Sequence, residues 1–170
     1  VALSAIWGAS FFFLRLAAPV FGPVPLIAAR VFFGFCLLLP VFLYRGLGSQ
    51  LRENWRIVFI ISLANMSFPF SLLAYASLSL NAGITSILNA TVPFFAALIA
   101  FSFWSVRLSR LALLGMGVGF GGVVLIVFDP AAADLGQQAL LAVGAGLAAS
   151  LLYGTASNLA QHRLQGVSGL

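Results

Sequence analysis

The stretch VPLIAARVFFGFCLLLPVFLY, residues 24 to 44, contains a single charged side chain, Arg30, in an otherwise apolar run. A helix needs about 20 mainly apolar residues to cross roughly 30 Å of hydrocarbon, at about 1.5 Å per residue. This run is long enough, and it lacks the strict alternation of apolar and polar residues that a membrane β-strand shows. It therefore predicts a membrane-spanning α-helix.

Five further stretches have a similar length and composition. Turn-forming residues separate the stretches, including Gly22, Gly46, Asn81 and Asp129. We therefore predict an all-α fold, a polytopic membrane helix bundle with six spans. The predicted spans cover about residues 1–19, 24–44, 56–79, 82–104, 110–128 and 138–161.

The composition excludes a water-soluble domain. The chain is 62% hydrophobic and 6% charged, with a mean hydropathy of +1.14, whereas soluble domains are roughly 25% charged. The basic residues are all Arg, they are dispersed between apolar runs, and they form no basic patch with interleaved aromatic residues. We therefore expect no nucleic-acid partner. The partner that such a surface requires is the lipid bilayer.

The Arg residues gather in alternate loops, which predicts the orientation of the chain. Cytoplasmic loops collect Arg and Lys, so the loops that hold Arg are expected on the cytoplasmic side. The N-terminal end of span 1 is then cytoplasmic in a bacterial-type inner membrane, and residues 131–136 are external. The loop Arg residues are Arg45, Arg52, Arg56, Arg107, Arg110 and Arg163.

Four stretches carry a resemblance to a known family. They are IWGASF (6–11), AARVF (28–32), LNATVPFFAAL (88–98) and LGMGVGFGGV (114–123). In this order and spacing they resemble EamA-type members of the drug/metabolite transporter superfamily. The resemblance implies a ten-helix transporter made of two five-helix repeats of opposite topology, with a substrate pathway between them. One difference is that Ser105-Val106-Arg107 stands where the family often has Gly-Glu-Arg.

The resemblance also implies a division of the chain. Residues 1–136 correspond to the first five-helix repeat, and residues 137–170 hold the first helix of the second repeat, whose remainder we expect in a missing C-terminal part. An odd number of spans in one repeat makes the next repeat enter the membrane from the opposite side. Three positions recur at equal spacing in spans 1 and 6: Ser4, Trp7 and Gly8 match Ser150, Tyr153 and Gly154.

Polar residues at helix interruptions are candidates for the substrate pathway. Pro93 removes the N–H that would bond the carbonyl of Asn89, and Pro69 has the same relation to Asn65. Interrupted helices are where transporters expose backbone to substrate. Thr85 and Tyr75 belong to polar stripes with four-residue spacing on spans 4 and 3, for which interhelical hydrogen bonding is the alternative interpretation.

Arg30 and Trp7 complete the predicted pathway. Arg30 lies about six residues into span 2, roughly 9 Å along the helix. An Arg inside the membrane costs at least about 2.5 kcal/mol, and no Asp or Glu lies in any predicted span. It is interpreted either as a contact for a substrate anion or carboxylate, or as a bond to helix-end carbonyls. Trp7 is either an aromatic cavity wall or a packing residue against span 6 or lipid.

These observations predict a multi-pass membrane transporter that exports small metabolites or drug-like or amino-acid-like solutes. The alternative is a membrane-embedded enzyme or a structural membrane protein whose active part lies in the missing C-terminal half. Acid–base or metal chemistry needs clustered His, Asp, Glu or Cys. We therefore predict no enzyme activity, cofactor or metal, because the relevant side chains are scattered: Cys36, Glu53, Asp129, Asp134 and His162.

Overall fold

The computed structural model describes residues 2–127 and 137–164. Within these ranges the chain forms helices and no strand, which confirms the predicted all-α fold. Asp129, Asp134 and the predicted external loop 131–136 lie outside the described residues. The helices are α1 (Ala2–Phe21), α2 (Pro23–Tyr44), α3 (Gly48–Ser62), α4 (Phe68–Ser79), α5 (Ala82–Asn89), α6 (Val92–Trp104), α7 (Arg110–Val127) and α8 (Gln137–Arg163).

These helices occupy the six stretches that the sequence predicts as spans. A π-helical turn, Leu63–Ser67, joins α3 to α4, and a two-residue turn joins α5 to α6. Four segments of the described chain are long and apolar enough to cross a membrane: Pro23–Tyr44, Gly48–Ser79, Ala82–Trp104 and Gln138–Arg163. Ala5–Phe21 and Arg110–Ile126 are shorter apolar helices.

The third span begins earlier than predicted. We expected it from about residue 56, but α3 begins at Gly48. Its first two turns contain Gln50, Arg52 and Glu53, which favour a helix but not hydrocarbon. The helix therefore extends past the apolar segment, and hydropathy alone marks only the part that lipid surrounds.

Two prolines interrupt the third and fourth spans. Because Pro69 has no N–H, the backbone before it widens into the π-turn, where the Phe68 N–H donates to the Leu63 carbonyl five residues earlier. The fourth span breaks after Asn89, ahead of Pro93, and resumes as α6. Both predicted interruptions are therefore present.

The helix ends have local causes that the sequence displays. Asn81 caps α5, since its side chain accepts a hydrogen bond of 2.8 Å from the Ile84 N–H. Gly22 and Gly46 take positive φ angles of 79° and 62° in the first two loops, a conformation that glycine adopts without strain. Ser105 follows the last residue of α6 and has a φ of 53°. Among the described residues it alone has a positive φ without being glycine.

Helix α8 is the central packing element, and its most extensive contacts are with α4 and α6. Small and polar residues at four-residue spacing form the face toward α5 and α6: Gly146, Ser150, Gly154 and Asn158. A Cβ on Gly154 would lie 2.7 Å from the Ala96 backbone nitrogen. Such spacing lets two backbones approach closely.

Hydrogen bonds reinforce this close approach. The Ser150 hydroxyl donates to the Leu88 carbonyl over 2.8 Å, and the Asn158 amide donates to the Ala96 carbonyl over 2.9 Å. At the end of the helix pair the rings of Trp104 and His162 stack 4.5 Å apart. The helix α8 is thus fixed to the interrupted fourth span along most of that span's length.

The outer surface is apolar, as a bilayer requires. Helix α2 has one buried residue, Ile27. Large side chains such as Phe32, Phe33 and Leu37 are more than half exposed on that helix. An apolar surface of this extent is incompatible with water but suits lipid contact. The described chain is therefore a membrane helix bundle.

Candidate functional site

A groove between α1 and α2 brings together two of the predicted pathway residues, Trp7 and Arg30. Its volume is about 590 Å³. An adjoining cavity of about 260 Å³ shares Ser10, Phe13 and Arg30 with it and extends to Ile27. Apolar side chains form most of the lining of both spaces. Among the lining residues, Arg30 is the one with a formal charge.

The guanidinium of Arg30 is held by two contacts. Its Nη1 donates a hydrogen bond of 3.1 Å to the Ser10 hydroxyl on α1. Its Cζ lies 4.2 Å from the centre of the Phe70 ring on α4, a cation–π distance. Neither contact is a helix-end carbonyl, so the second interpretation from the sequence is not the arrangement found. No Asp or Glu pairs with Arg30 in the described ranges.

Phe70 is itself fixed from the other side. The Tyr153 ring on α8 meets it edge to face at a centroid distance of 6.0 Å. Phe70 is buried in a cluster with Leu14 and Ile27. The ring beneath Arg30 therefore belongs to the packed core. The Tyr153 hydroxyl is buried and has no hydrogen-bond partner among the described atoms.

The second intramembrane arginine, Arg15, is used differently. Its Nη1 donates to the carbonyls of Ser77 and Leu78 in the last turn of α4, the latter over 2.7 Å. Carbonyls in a last helical turn lack intrahelical partners, so Arg15 caps α4. The sequence analysis did not predict this cap. Arg30, by contrast, donates to a side-chain hydroxyl and to no backbone carbonyl in the described chain.

A second cavity lies between α6 and α7, away from Arg30. It has a volume of about 490 Å³ and includes Pro93 in its lining. Phe94 stacks on Phe120 at its edge, with centroids 4.8 Å apart. Gly115 and Gly119 border it, and nothing lies within 4 Å of the Cβ position of either. The GxxxG spacing of span 5 thus faces open space in this chain.

Asn89 lies at the interruption of the fourth span. Its side-chain oxygen is buried without a hydrogen-bond partner among the described atoms. A buried amide oxygen without a donor costs on the order of 1–3 kcal/mol. The position therefore keeps an unsatisfied side-chain oxygen next to a helix break, whereas the sequence made Asn89 a candidate through its main-chain carbonyl, which Pro93 cannot bond.

The other three predicted pathway residues lie at separate places. Asn65 is half-buried within the π-turn. Tyr75 is 42% exposed on α4. Thr85 is fully buried, and its hydroxyl donates to the Asn81 carbonyl of its own helix over 3.0 Å. The structure thus joins Trp7 with Arg30, and it does not join these three to that pair.

Sequence reasoning did not select Ser10, Phe70 or Tyr153. Ser10 lies in the quoted family stretch 6–11, yet a single Ser within an apolar span carries no signal of its own. Phe70 resembles many other phenylalanines in the chain. Tyr153 had one available signal, since it matches Trp7 in the recurrence between spans 1 and 6.

The donor groups for metal or acid–base chemistry stay dispersed. Across residues 2–127 and 137–164, no three His, Cys, Asp or Glu side chains form a group that could hold a metal ion. Cys36 is exposed on α2. What the groove offers chemically is a cation, a hydroxyl and aromatic surfaces.

Comparison with known proteins gives one match. The family described as the EamA-like transporter family matches residues 1–128. This range contains α1 to α7, and with them the groove at Arg30 and the second cavity. No curated protein and no solved structure matches the chain at a significant level.

Proposed function

Since this chain belongs to the EamA-like transporter family, we propose that it forms the first part of an exporter whose substrate path follows the α1–α2 groove. Family membership makes the chain part of a membrane transporter of the drug/metabolite type, with a small-molecule substrate and lipid surroundings. The proposed cargo is a small metabolite or a drug-like or amino-acid-like solute. It moves from the cytoplasm of a bacterial-type cell across the inner membrane.

One observation carries the proposal. Arg30 stands in an apolar span without an acidic partner in the described chain, and it borders a groove of about 590 Å³ together with Trp7. A charge in the membrane is costly unless water, a partner or a ligand compensates it. Intramembrane charges accordingly mark substrate pathways. A groove that holds water or a solute beside Arg30 would explain why the charge is tolerated.

The proposed architecture puts this groove at the centre of the complete protein. Residues 1–136 would form one five-helix repeat, and α8 would begin an inverted second repeat. Trp7 and Tyr153 would then be equivalent positions of the two repeats. Both lie near Arg30: Trp7 lines the same groove, and Tyr153 packs on Phe70, the ring that Arg30 contacts. Transporter sites of inverted-repeat proteins lie at such repeat interfaces.

Export by the full-length protein tests the proposal without a guess about the substrate. Metabolites in the medium would be profiled for cells that express the protein, the variants Trp7→Ala or Arg30→Gln, or neither. We expect at least one solute that accumulates outside only with the unmodified protein. Trp55→Ala and Arg45→Gln are matched controls, because both positions are exposed and distant in sequence from the groove.

Protein abundance in the membrane must be equal for the comparison to count. The proposal fails if expression changes no external solute. It also fails if both groove variants export as well as the controls, because the path would then lie elsewhere.

A further inference from the structure

We propose that Arg30 is the recognition site for a monocarboxylate, so that the exported solute carries one carboxylate next to an apolar body. This inference rests on the proposed function and specifies the substrate class of the same groove.

The first argument is the number of free donors on Arg30. A guanidinium has five N–H donors arranged in one plane. Ser10 accepts one hydrogen bond, from Nη1. The Phe70 ring contacts the guanidinium, with the Arg30 Cζ 4.2 Å from the ring centre. No other acceptor for Arg30 lies among the described residues, so most of the fork is available to a ligand.

The second argument is rigidity. Phe70 is 6% exposed, and Tyr153 holds it edge to face from α8. The guanidinium therefore lies against a ring that cannot move freely, and it is joined to α1 by its hydrogen bond to Ser10. Pre-organised arginine forks lose little conformational entropy on binding and pair with carboxylates through two parallel hydrogen bonds. Arg15 differs in that its Nη1 is bound to two backbone carbonyls, whereas Arg30 donates to one side-chain hydroxyl.

The third argument is charge balance, which selects a monoanion. Arg30 supplies a single positive charge to the groove, and no second cationic side chain lines it. A carboxylate neutralises that charge. A phosphate dianion would leave a net negative charge in a medium of low polarity, which is strongly unfavourable.

The lining indicates what the rest of the solute is. Ile6, Trp7 and Phe13 surround Arg30 with aliphatic and aromatic surface. Apolar side chains of this kind bind an aromatic or branched hydrocarbon body, while a few polar groups fix its orientation. A small aromatic or branched-chain acid fits both parts.

Three pairs of probes test the charge while the body stays constant: phenylacetate, indole-3-acetate and 4-methylpentanoate, each with its neutral amide. Binding to the full-length protein in detergent would be measured from the ligand-dependent rise in unfolding temperature. We expect at least one acid to bind and its amide to bind at least about tenfold more weakly. Arg30→Gln should abolish this preference, and Arg30→Lys should retain part of it because the charge remains without the fork.

Arg45→Gln and Tyr44→Phe are controls that should leave the preference unchanged, since both side chains are exposed at the end of α2. The inference is overturned if no acid binds, if acid and amide bind equally, or if Arg30→Gln keeps the preference. Arg30→Lys guards against a misfolded Gln variant. Should the export profile show solutes that depend on the groove but are neutral or cationic, the carboxylate assignment fails while the exporter function stands.

Discussion

The Ser150 hydroxyl on α8 donates a 2.8 Å hydrogen bond to the main-chain carbonyl of Leu88, one residue before α5 ends and the fourth span is interrupted. The same carbonyl also accepts from the Thr91 N–H over 3.1 Å and from the Thr91 hydroxyl over 2.7 Å. Three donors therefore converge on one backbone atom at the break. This arrangement ties α8 to the place where Pro93 removes regular helical bonding.

Removal of the Ser150 hydroxyl should have a modest effect. Ser150→Ala leaves the Leu88 carbonyl with both Thr91 donors, so no acceptor becomes unsatisfied. Hydrogen bonds between membrane helices average about 0.6 kcal/mol and reach about 1.7 kcal/mol. We expect the free energy of unfolding in detergent to fall by about 1 kcal/mol. A loss above about 3 kcal/mol would show that this bond organises the break rather than supports it.

A methyl group at Gly154 should be much more harmful. A Cβ there would lie 2.7 Å from the Ala96 nitrogen and 3.0 Å from the Phe95 carbonyl carbon, and these backbone atoms cannot rotate away. Gly154→Ala should therefore separate α8 from α6 and destabilise the fold by about 1–3 kcal/mol, the usual cost of overpacking. Thermal unfolding in detergent measures the loss.

Gly144→Ala is the matched control on the same helix. Nothing lies within 4 Å of its Cβ position, and alanine favours helix by up to about 1 kcal/mol over glycine. It should leave the unfolding temperature equal or raised. Equal loss in both variants would contradict the close approach of α8 and α6.

The difference between α7 and α8 shows where sequence analysis stops. Gly115 and Gly119 have the recognised spacing for close helix contact, but their Cβ positions are open in this chain. Gly146 and Gly154 are eight residues apart in α8 and were not selected, yet both meet a neighbouring helix. The spacing of small residues indicates that another helix can approach closely. Which helix is approached depends on how all the spans pack together.

Helix caps and helix interruptions could be predicted because their causes lie within a few residues of sequence. Asn81 caps α5 by accepting a hydrogen bond from Ile84, three residues later, and Pro69 interrupts the helix in which it lies. Each effect therefore depends only on residues that are close in sequence. Arg30 and Trp7 share the groove because a short loop makes α1 and α2 neighbours. Phe70 and Tyr153 reach the same place from distant parts of the chain, and no local pattern indicates that meeting.

Ser105 should be improved by glycine. Its φ of 53° is a left-handed conformation that costs a non-glycine residue roughly 1–2 kcal/mol. Ser105→Gly should raise the free energy of unfolding by about 0.5–1 kcal/mol. This gain is smaller than the strain that is removed, because glycine also has more conformational freedom in the unfolded chain. Ser105→Ala is the control and should give no gain; a gain of equal size would show that strain at this residue is absent.

The proposed orientation places the loop before α3 in the cytoplasm and the start of α2 outside. In a Cys36→Ala background, we expect Val24→Cys to react with an impermeant thiol reagent added to intact cells. Ser49→Cys and Leu108→Cys should react only after the membrane is opened. The reason is the one-sided distribution of loop arginines. Reaction of position 49 from outside would reverse the proposed topology.

The two intramembrane arginines should fail in opposite ways when each is replaced by glutamine. Arg15 donates to the Ser77 and Leu78 carbonyls, so Arg15→Gln leaves the end of α4 without its cap. Ser77 is buried, and a buried acceptor that loses its donor costs about 1–3 kcal/mol. We expect less protein in the membrane and a lower unfolding temperature, with normal export per remaining molecule.

Arg30→Gln should instead leave the amount of protein nearly unchanged, because its hydroxyl partner Ser10 lies at an open groove and an unpaired intramembrane charge is removed. Export per molecule should then fall by at least about tenfold if Arg30 holds the solute's charge. Membrane abundance, unfolding temperature and export rate, measured together for both variants, separate the two roles. Depleted Arg30→Gln protein with normal export per molecule would make Arg30 a structural residue and remove it from the substrate path.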